Sequence, residues 1–209
     1  MPQSQLLTFT LAFPTPQDAL LALKNTKTPP NYSLGTHLQA PNTLQLTSEH
    51  PDIHSATSSL TNTPYLPNML STLSQPPKTT HIAFSHGVPI FSSQGAMASP
   101  LLEFVKVSFP AARATPDFRT GIEREFRVFD EKCLAVARGN GGVAFGWGVE
   151  EEEHEGGEGG KVVGFFVVRG WEGMGCFEEL VTMNEFKGAI EGLKGWGAPT
   201  EMWFVQREG

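Results

Sequence analysis

The sequence contains few cysteines, few tyrosines and no excess of basic residues. Its 209 residues include two cysteines and two tyrosines, against fifteen phenylalanines. Cys133 and Cys176 fall in different predicted helices, which argues against a disulfide framework and favours a reducing compartment. The formal net charge is −7, and no basic stripe offsets it. We therefore expect no nucleic-acid partner.

Long apolar runs are also missing. None approaches the roughly 20 residues that a membrane-spanning helix needs. The first thirteen residues lack the basic segment and long apolar core of a signal peptide. We therefore expect no membrane partner and a cytoplasmic location.

Much of the negative charge lies in one acidic, glycine-rich run at residues 150–158. Such a composition cannot bury enough apolar surface to pack. The run is therefore predicted to be a mobile, solvated loop, with the solvated His154 inside it.

The chain contains an internal repeat. Residues 6–14 and 101–110 are both β-rich runs that end in Phe-Pro, and each is followed by a Thr-Pro pair. A proline cannot donate to a strand ladder, and Thr-Pro is typical of a helix N-cap and first helical position. Each run therefore predicts a strand that leads into a helix.

The later elements correspond in the same order, with a helix, two strands, a second helix and a final strand in each copy. In the first copy they are predicted at residues 18–24, 33–38, 43–47, 53–73 and 81–84. In the second copy they are predicted at residues 118–137, 144–149, 161–169, 174–193 and 201–205.

This order predicts an α+β protein made of two tandem ferredoxin-like βαββαβ units. We place the first unit at residues 1–90, a linker at 91–99 and the second unit at 100–209. A single unit leaves one sheet face bare. Two units can bury those faces against each other as a pseudo-dimeric α/β barrel.

The strand-to-helix passages at residues 44–54 and 167–173 add a family resemblance. With the repeated topology, they resemble the dimeric α/β-barrel superfamily, including fungal stress-responsive barrel proteins and relatives of antibiotic-biosynthesis monooxygenases. The resemblance implies a pocket between the sheet and the helices of one unit. It does not imply one reaction, because this fold serves cyclases, cofactor-free oxygenases and haem-degrading enzymes alike.

Two histidines are the first catalytic candidates. His37 and His81 lie in predicted strands of the first copy and are not repeated in the second. A histidine held in an apolar pocket can act as a general base near neutral pH. The alternative is a strand-edge histidine in solvent or bonded to the backbone.

Lys106 is the third catalytic candidate, because it interrupts an apolar strand. It could bind an acidic substrate oxygen or form a Schiff base, or its ammonium could reach the surface. Glu103 is its natural partner, but strict alternation would point the two side chains in opposite directions.

Aromatic side chains are the candidates for substrate binding. Trp147, Phe104, Phe145 and Trp203 suit a flat polycyclic or polyene ligand, although ordinary core packing would also use them.

These residues favour a cofactor-independent cyclase, isomerase or dehydratase that acts on an apolar, polyketide-like molecule. No metal site and no cofactor are expected, and the chain is expected to be a monomer or homodimer. The alternatives are a haem-binding or haem-degrading barrel and a non-catalytic ligand-binding or stress-response protein.

Overall fold

The structure is a computed structural model that describes residues 3–10, 31–56, 78–134, 136–153 and 160–208. For residues 3–10, 86 and 134 it describes the backbone alone. The predicted helix at residues 18–24, His154 and most of the predicted helix at residues 53–73 lie outside the described part. Residues 53–56 are described and are helical.

The described residues form nine strands, three longer helices and two single 3-10 turns. The strands are β1 (Gln3–Thr10), β2 (Tyr32–His37), β3 (Thr43–His50), β4 (Lys78–Gly87), β5 (Leu101–Pro110), β6 (Asn140–Gly148), β7 (Glu152–Glu153), β8 (Lys161–Trp171) and β9 (Thr200–Arg207). The helices are α1 (Pro116–Leu134), α2 (Met174–Thr182) and α3 (Asn184–Lys194), and the 3-10 turns are Ala96–Ala98 and Ala111–Arg113.

All strand pairs are antiparallel, and the protein is an α+β fold with one curled sheet. The first half pairs in the order β2-β3-β1-β4, and the second half in the order β6-β8-β5-β9. These are the same relative order. Pairing of β4 with β6 and of β9 with β2 joins the halves, so each of these eight strands has a neighbour on both sides.

The alternation of side chains along β5 separates two cores. Leu102 and Phe104 belong to a cluster inside the curl that also contains Ile82 of β4. Val107 and Phe109 belong to a cluster that packs against α1 and α3. We call these the interior side and the helix-facing side of the sheet. Because side chains of a strand alternate between faces, Glu103 faces the helices and Lys106 faces the interior, in opposite directions as predicted.

Helix α1 begins where the Thr-Pro pair predicts. The Thr115 hydroxyl oxygen accepts a hydrogen bond from the Phe118 N–H at 3.3 Å, and Pro116 is the first helical residue. Ile122 and Phe126 are buried on its sheet side. The helix therefore forms because a cap at its N-terminus coincides with an apolar stripe.

The single helix predicted at residues 174–193 is two helices. Met183 has extended backbone angles (φ −70°, ψ 145°) between α2 and α3. The break lets α2 cover Phe204 through Phe177, while α3 packs against α1.

The prediction that the whole acidic run is unpacked was wrong at its start. Glu152–Glu153 forms β7 and pairs with β8. Glu150 accepts a hydrogen bond from His81, and Glu152 accepts one from Lys106. Glu150 and Glu152 are thus held by hydrogen bonds to buried side chains, which composition does not reveal.

Within the described residues, no helix has both the length and the apolar character needed to cross a membrane.

Candidate functional site

A cavity of about 560 Å³ lies between the helix-facing side of the second half and its three helices. Strands β5, β8 and β9 form its floor, and α1, α2, α3 and the loop before β9 form its walls and roof. Most of the lining is aromatic or aliphatic. The rings that line it are Phe126, Phe129, Phe165, Phe177, Phe186 and Trp196. A cavity of this size and character suits a small, largely apolar molecule.

Two charged side chains, Glu103 and Arg169, lie at the floor of this cavity. They are direct partners in the register between β5 and β8, which places them side by side on one face. Only 12% of the Glu103 side chain and 5% of the Arg169 side chain are exposed. The Nε atom of Arg169 is 4.0 Å from Oε2 of Glu103. The other polar lining residues are Lys194, whose side chain is 63% exposed, and Thr200.

A buried polar network holds this pair. Trp171 donates from its indole Nε1 to Oε2 of Glu103 at 2.8 Å. Arg169 donates from Nη2 to Asp130 of α1 and from Nη1 to the side-chain oxygen of Asn140 at 3.3 Å. A buried charge is costly unless it is paired and hydrogen-bonded, so these contacts account for how Arg169 and Glu103 remain in an apolar layer.

Burial raises the pKa of Glu103 above its ordinary value of 4.5. The Arg169 charge and the Trp171 hydrogen bond oppose this rise, and the charge of Asp130 adds to it. A carboxyl group with a raised pKa is a stronger base when ionised and a usable acid when protonated. Both polar contacts that the described residues make to Glu103 engage Oε2, and neither engages Oε1.

The predicted site residues form separate groups, and none of them lines this cavity. His37, Phe104 and Trp203 lie together on the interior side. Trp203 stacks on Phe104 with 5.5 Å between ring centroids, and the His37 ring lies 6.3 Å from Trp203. His37 and Trp203 share the side-chain oxygen of Gln45, at 3.2 and 2.8 Å. Burial lowers the pKa of His37, and the Gln45 hydrogen bond opposes that change.

Lys106 also faces the interior, but its partner is not Glu103. Its side chain is buried, and Nζ donates to Oε2 of Glu152 at 2.8 Å. The interpretation that its ammonium reaches the surface was therefore wrong.

His81 lies on the other face from His37, because it precedes Ile82 of the interior cluster. It is buried, and its Nδ1 is 2.5 Å from Oε1 of Glu150. It shares its face with His50, whose Nε2 bonds the Ser48 hydroxyl. The structure thus does not bring the two candidate histidines into one pocket.

Trp147 and Phe145 belong to the helix-facing cluster under α1. Trp147 donates from Nε1 to Glu123 at 2.9 Å, and the Arg119 guanidinium lies 4.9 Å from its ring. Phe145 packs edge-on against Phe126, which lines the cavity, at 4.9 Å. These two aromatic residues support the cavity wall from behind.

Sequence reasoning missed Arg169 and Asp130, and it weighed Glu103 only as a partner of Lys106. A signal was present: Glu103 and Arg169 are charged residues of largely apolar strands and are in phase with Val105 and Val167 on the helix-facing side.

Comparison with known proteins reveals similarity in fold alone. No protein-family model matches the sequence, and no curated protein matches it. A proposed monooxygenase from Fusobacterium nucleatum has a TM-score of 0.62 at 10% identity, with 99% of this chain and 92% of that chain covered. A proposed monooxygenase from Lactobacillus acidophilus has a TM-score of 0.60 at 11% identity, over 99% and 93%. An anthrone oxidase-like protein has a TM-score of 0.60 at 12% identity, over 100% and 92%.

Proposed function

We propose that this chain is an enzyme that binds a flat, mainly apolar molecule in the second-half cavity and transfers a proton with Glu103. The observation that carries the proposal is a largely buried carboxyl of raised pKa beside a guanidinium, at the floor of an aromatic cavity. Paired ionisable groups whose environment perturbs them inside a cleft are typical of acid–base sites.

The proposed chemistry uses the chain's own side chains. Oε1 of Glu103 takes a proton from a ligand carbon that is conjugated with a carbonyl, so a C–H bond breaks and an O–H bond forms. The electron pair moves onto the carbonyl oxygen, where the Arg169 charge stabilises the resulting enolate. Return of the proton to another atom then completes an isomerisation, a ring closure or a dehydration.

The cavity walls supply the binding. Phe126, Phe165 and Trp196 offer ring faces and edges against which a planar ligand can stack. Stacking of this kind orients the ligand with little loss of side-chain freedom. It places the polar end of the ligand at the floor, because the charged pair of Glu103 and Arg169 lies there.

We also propose that the two halves are tandem ferredoxin-like units that act as a pseudo-dimer. The repeated strand order and the two reciprocal joints, β4 with β6 and β9 with β2, support a duplication. Their difference supports one working cavity in the second half: Glu103 and Arg169 form the facing pair on β5 and β8 there. When the Phe-Pro ends of the two copies are aligned, Glu103 corresponds to Leu7, whose partner in the register between β1 and β3 is Leu46.

A haem-binding role receives less support from this cavity. Haem proteins of related folds use an axial ligand, most often histidine. The described residues that line the cavity include no histidine. A non-catalytic binder remains an outcome that the experiment below distinguishes.

Anthrone is the probe we choose, since it is a flat tricyclic ketone with acidic methylene protons and one structural neighbour is described as anthrone oxidase-like. Under anaerobic conditions in D₂O, loss of the methylene ¹H signal of anthrone would be followed by NMR. We expect the wild-type protein to accelerate this exchange above the buffer rate. Glu103→Gln should lower the acceleration by about 10²–10⁴-fold, the usual contribution of a general base.

Glu123→Gln is the matched control. Glu123 also accepts a tryptophan indole hydrogen bond, at 2.9 Å, but it does not line the cavity. This variant should exchange at the wild-type rate. Equal exchange by Glu103→Gln and the wild type would contradict the proposal. Binding of anthrone without any exchange by the wild type would identify a non-catalytic binder.

A further inference from the structure

The guanidinium of Arg169 is held from two sides. Nη2 donates to Asp130 on α1, and Nη1 donates to Asn140 at the start of β6. These contacts direct the edge of the group toward Glu103, with Nε 4.0 Å from Oε2. That separation exceeds the usual 2.7–3.2 Å range of an N–H···O hydrogen bond.

This arrangement is not the one that an unrestrained pair would adopt. Arginine and a neighbouring carboxylate commonly form two parallel, charge-assisted hydrogen bonds. Such a pair would favour the ionised form of Glu103 and make it a weaker base. In the structure, both terminal nitrogens of Arg169 donate to Asp130 and Asn140 instead. Arg169 therefore stays close enough to stabilise a ligand anion without forming two hydrogen bonds to Glu103.

We infer that Asp130, assisted by Asn140, is a positioning residue that holds Arg169 short of a direct hydrogen bond to Glu103 and so keeps Glu103 a proton acceptor. The inference deepens the proposed function and rests on it. Asp130 lies 6% exposed on the inner side of α1 and acts through Arg169 rather than on the ligand.

The groups around Glu103 support this role. Arg169 and the Trp171 indole approach from β8, and Asp130 and the Cys133 thiol from α1. Lys194 of α3 lies at the exposed edge of the cavity, and α2 contributes Phe177 and Val181.

The groups around Glu103 have opposing effects on its pKa, and the net effect is a rise. Burial is the main cause of the raised Glu103 pKa, and the Asp130 charge adds to it, whereas Arg169 and Trp171 oppose it. Removing the Asp130 charge therefore lowers the pKa of Glu103 twice over. It removes a repelling carboxylate, and it weakens the hold on an arginine nitrogen, which can then move toward Glu103.

The test is an NMR titration of the Glu103 carboxyl carbon in protein labelled with ¹³C-glutamate, with the signal assigned by its loss in Glu103→Gln. Asp130→Asn should lower the pKa of Glu103. The pH at which anthrone exchange becomes half-maximal should move down with it. Asp130→Asn/Asn140→Asp returns a carboxylate to the other terminal nitrogen of Arg169 and should move both values back toward those of the wild type.

Asn140→Ala is the second variant, chosen because Asn140 is only partly buried and its removal puts less of the fold at risk. It frees Nη1 and the Gly142 N–H, from which Asn140 also accepts a hydrogen bond at 3.3 Å, and should shift the pKa of Glu103 in the same direction as Asp130→Asn. An unchanged or higher pKa in the folded variants would overturn the inference. Because the titration needs no substrate, absence of anthrone exchange in the wild type would defeat the proposed function without affecting this result.

Discussion

Lys106 and Glu152 join the interior of the curled sheet to the start of the acidic run. The Lys106 Nζ donates to Oε2 of Glu152 at 2.8 Å and also lies 5.9 Å from the centre of the Phe166 ring. Lys78 approaches the same carboxylate at 3.8 Å from β4. One carboxylate therefore neutralises a buried ammonium and an exposed one at the same end of the sheet.

This relationship predicts unequal effects of removing the two partners. Glu152→Ala leaves a buried ammonium without its acceptor and should lower the free energy of unfolding by about 1–3 kcal/mol. Lys106→Met keeps an unbranched apolar stem against Phe166 and leaves Glu152 partly exposed beside Lys78, so it should cost less than about 1 kcal/mol.

Urea unfolding measures both effects. Glu153→Ala is the control, because Glu153 is the exposed neighbour in β7, and it should change stability by less than about 0.5 kcal/mol. A larger loss in Lys106→Met than in Glu152→Ala would show that the pair does not act in this way.

The local signals in the sequence predicted the local structure well. The Thr115-Pro116 pair marked the start of α1, and the Phe-Pro at residues 109–110 marked the end of β5. The break at Met183 was missed because no proline or glycine stands there, and the extended backbone of that residue depends on how α2 and α3 pack.

The site was harder to predict because its parts meet only through long-range pairing. Glu103 and Arg169 become neighbours through the register between β5 and β8, and Asp130 reaches them from a helix. The comparison of the two copies selected unrepeated histidines, and the catalytic roles of His37, His81 and Lys106 stay predictions. No local pattern could show that the carboxyl at position 103 faces a cavity.

The pH dependence of stability offers a second prediction for Glu103. Its pKa in the folded protein is above 4.5, so the folded state binds this proton more tightly than the unfolded state. The stabilisation that comes from protonated Glu103 is therefore present at low pH, and it is lost as pH rises from about 4.5 through the folded-state pKa.

Glu103→Gln removes this titration. The free energy of unfolding of the variant, compared with the wild type, should therefore rise with pH across that window and then level off. Urea unfolding at a series of pH values measures the difference. The control Glu123→Gln keeps Glu103 and should therefore keep the part of the pH dependence of stability that comes from this residue. If the difference in stability between Glu103→Gln and the wild type did not change with pH, the prediction would be refuted.

The joint between the two halves requires a glycine at position 146. A Cβ there would lie 2.1 Å from the Ala83 carbonyl oxygen and 2.7 Å from the Phe84 Cα, both in the backbone of β4. Gly146→Ala should therefore push β4 from β6 and cost about 1–3 kcal/mol.

Gly188→Ala is the opposite case, because nothing lies within 4 Å of a Cβ at this position in α3. It should raise stability by about 0.5–1 kcal/mol through the better helix propensity of alanine. The thermal unfolding temperature should fall in Gly146→Ala and rise in Gly188→Ala. If Gly146→Ala were as stable as the wild type, β4 and β6 would be able to move apart without cost.

The two cysteines should differ in reactivity. Cys133 is 1% exposed, and burial is the main cause that raises its pKa to about 11, although the Arg169 charge opposes the rise. Cys176 is partly exposed near the start of α2. Because the thiolate is the reactive form, a disulfide reagent at pH 8 should label Cys176 quickly in the folded protein and leave Cys133 to react only on unfolding.

Cys176→Ser should abolish the fast phase of labelling, whereas Cys133→Ser should preserve it. Fast labelling of Cys133 in the native protein would mean that the layer between α1 and the Arg169 network opens readily to solvent, which would also weaken the case for a buried, raised-pKa Glu103.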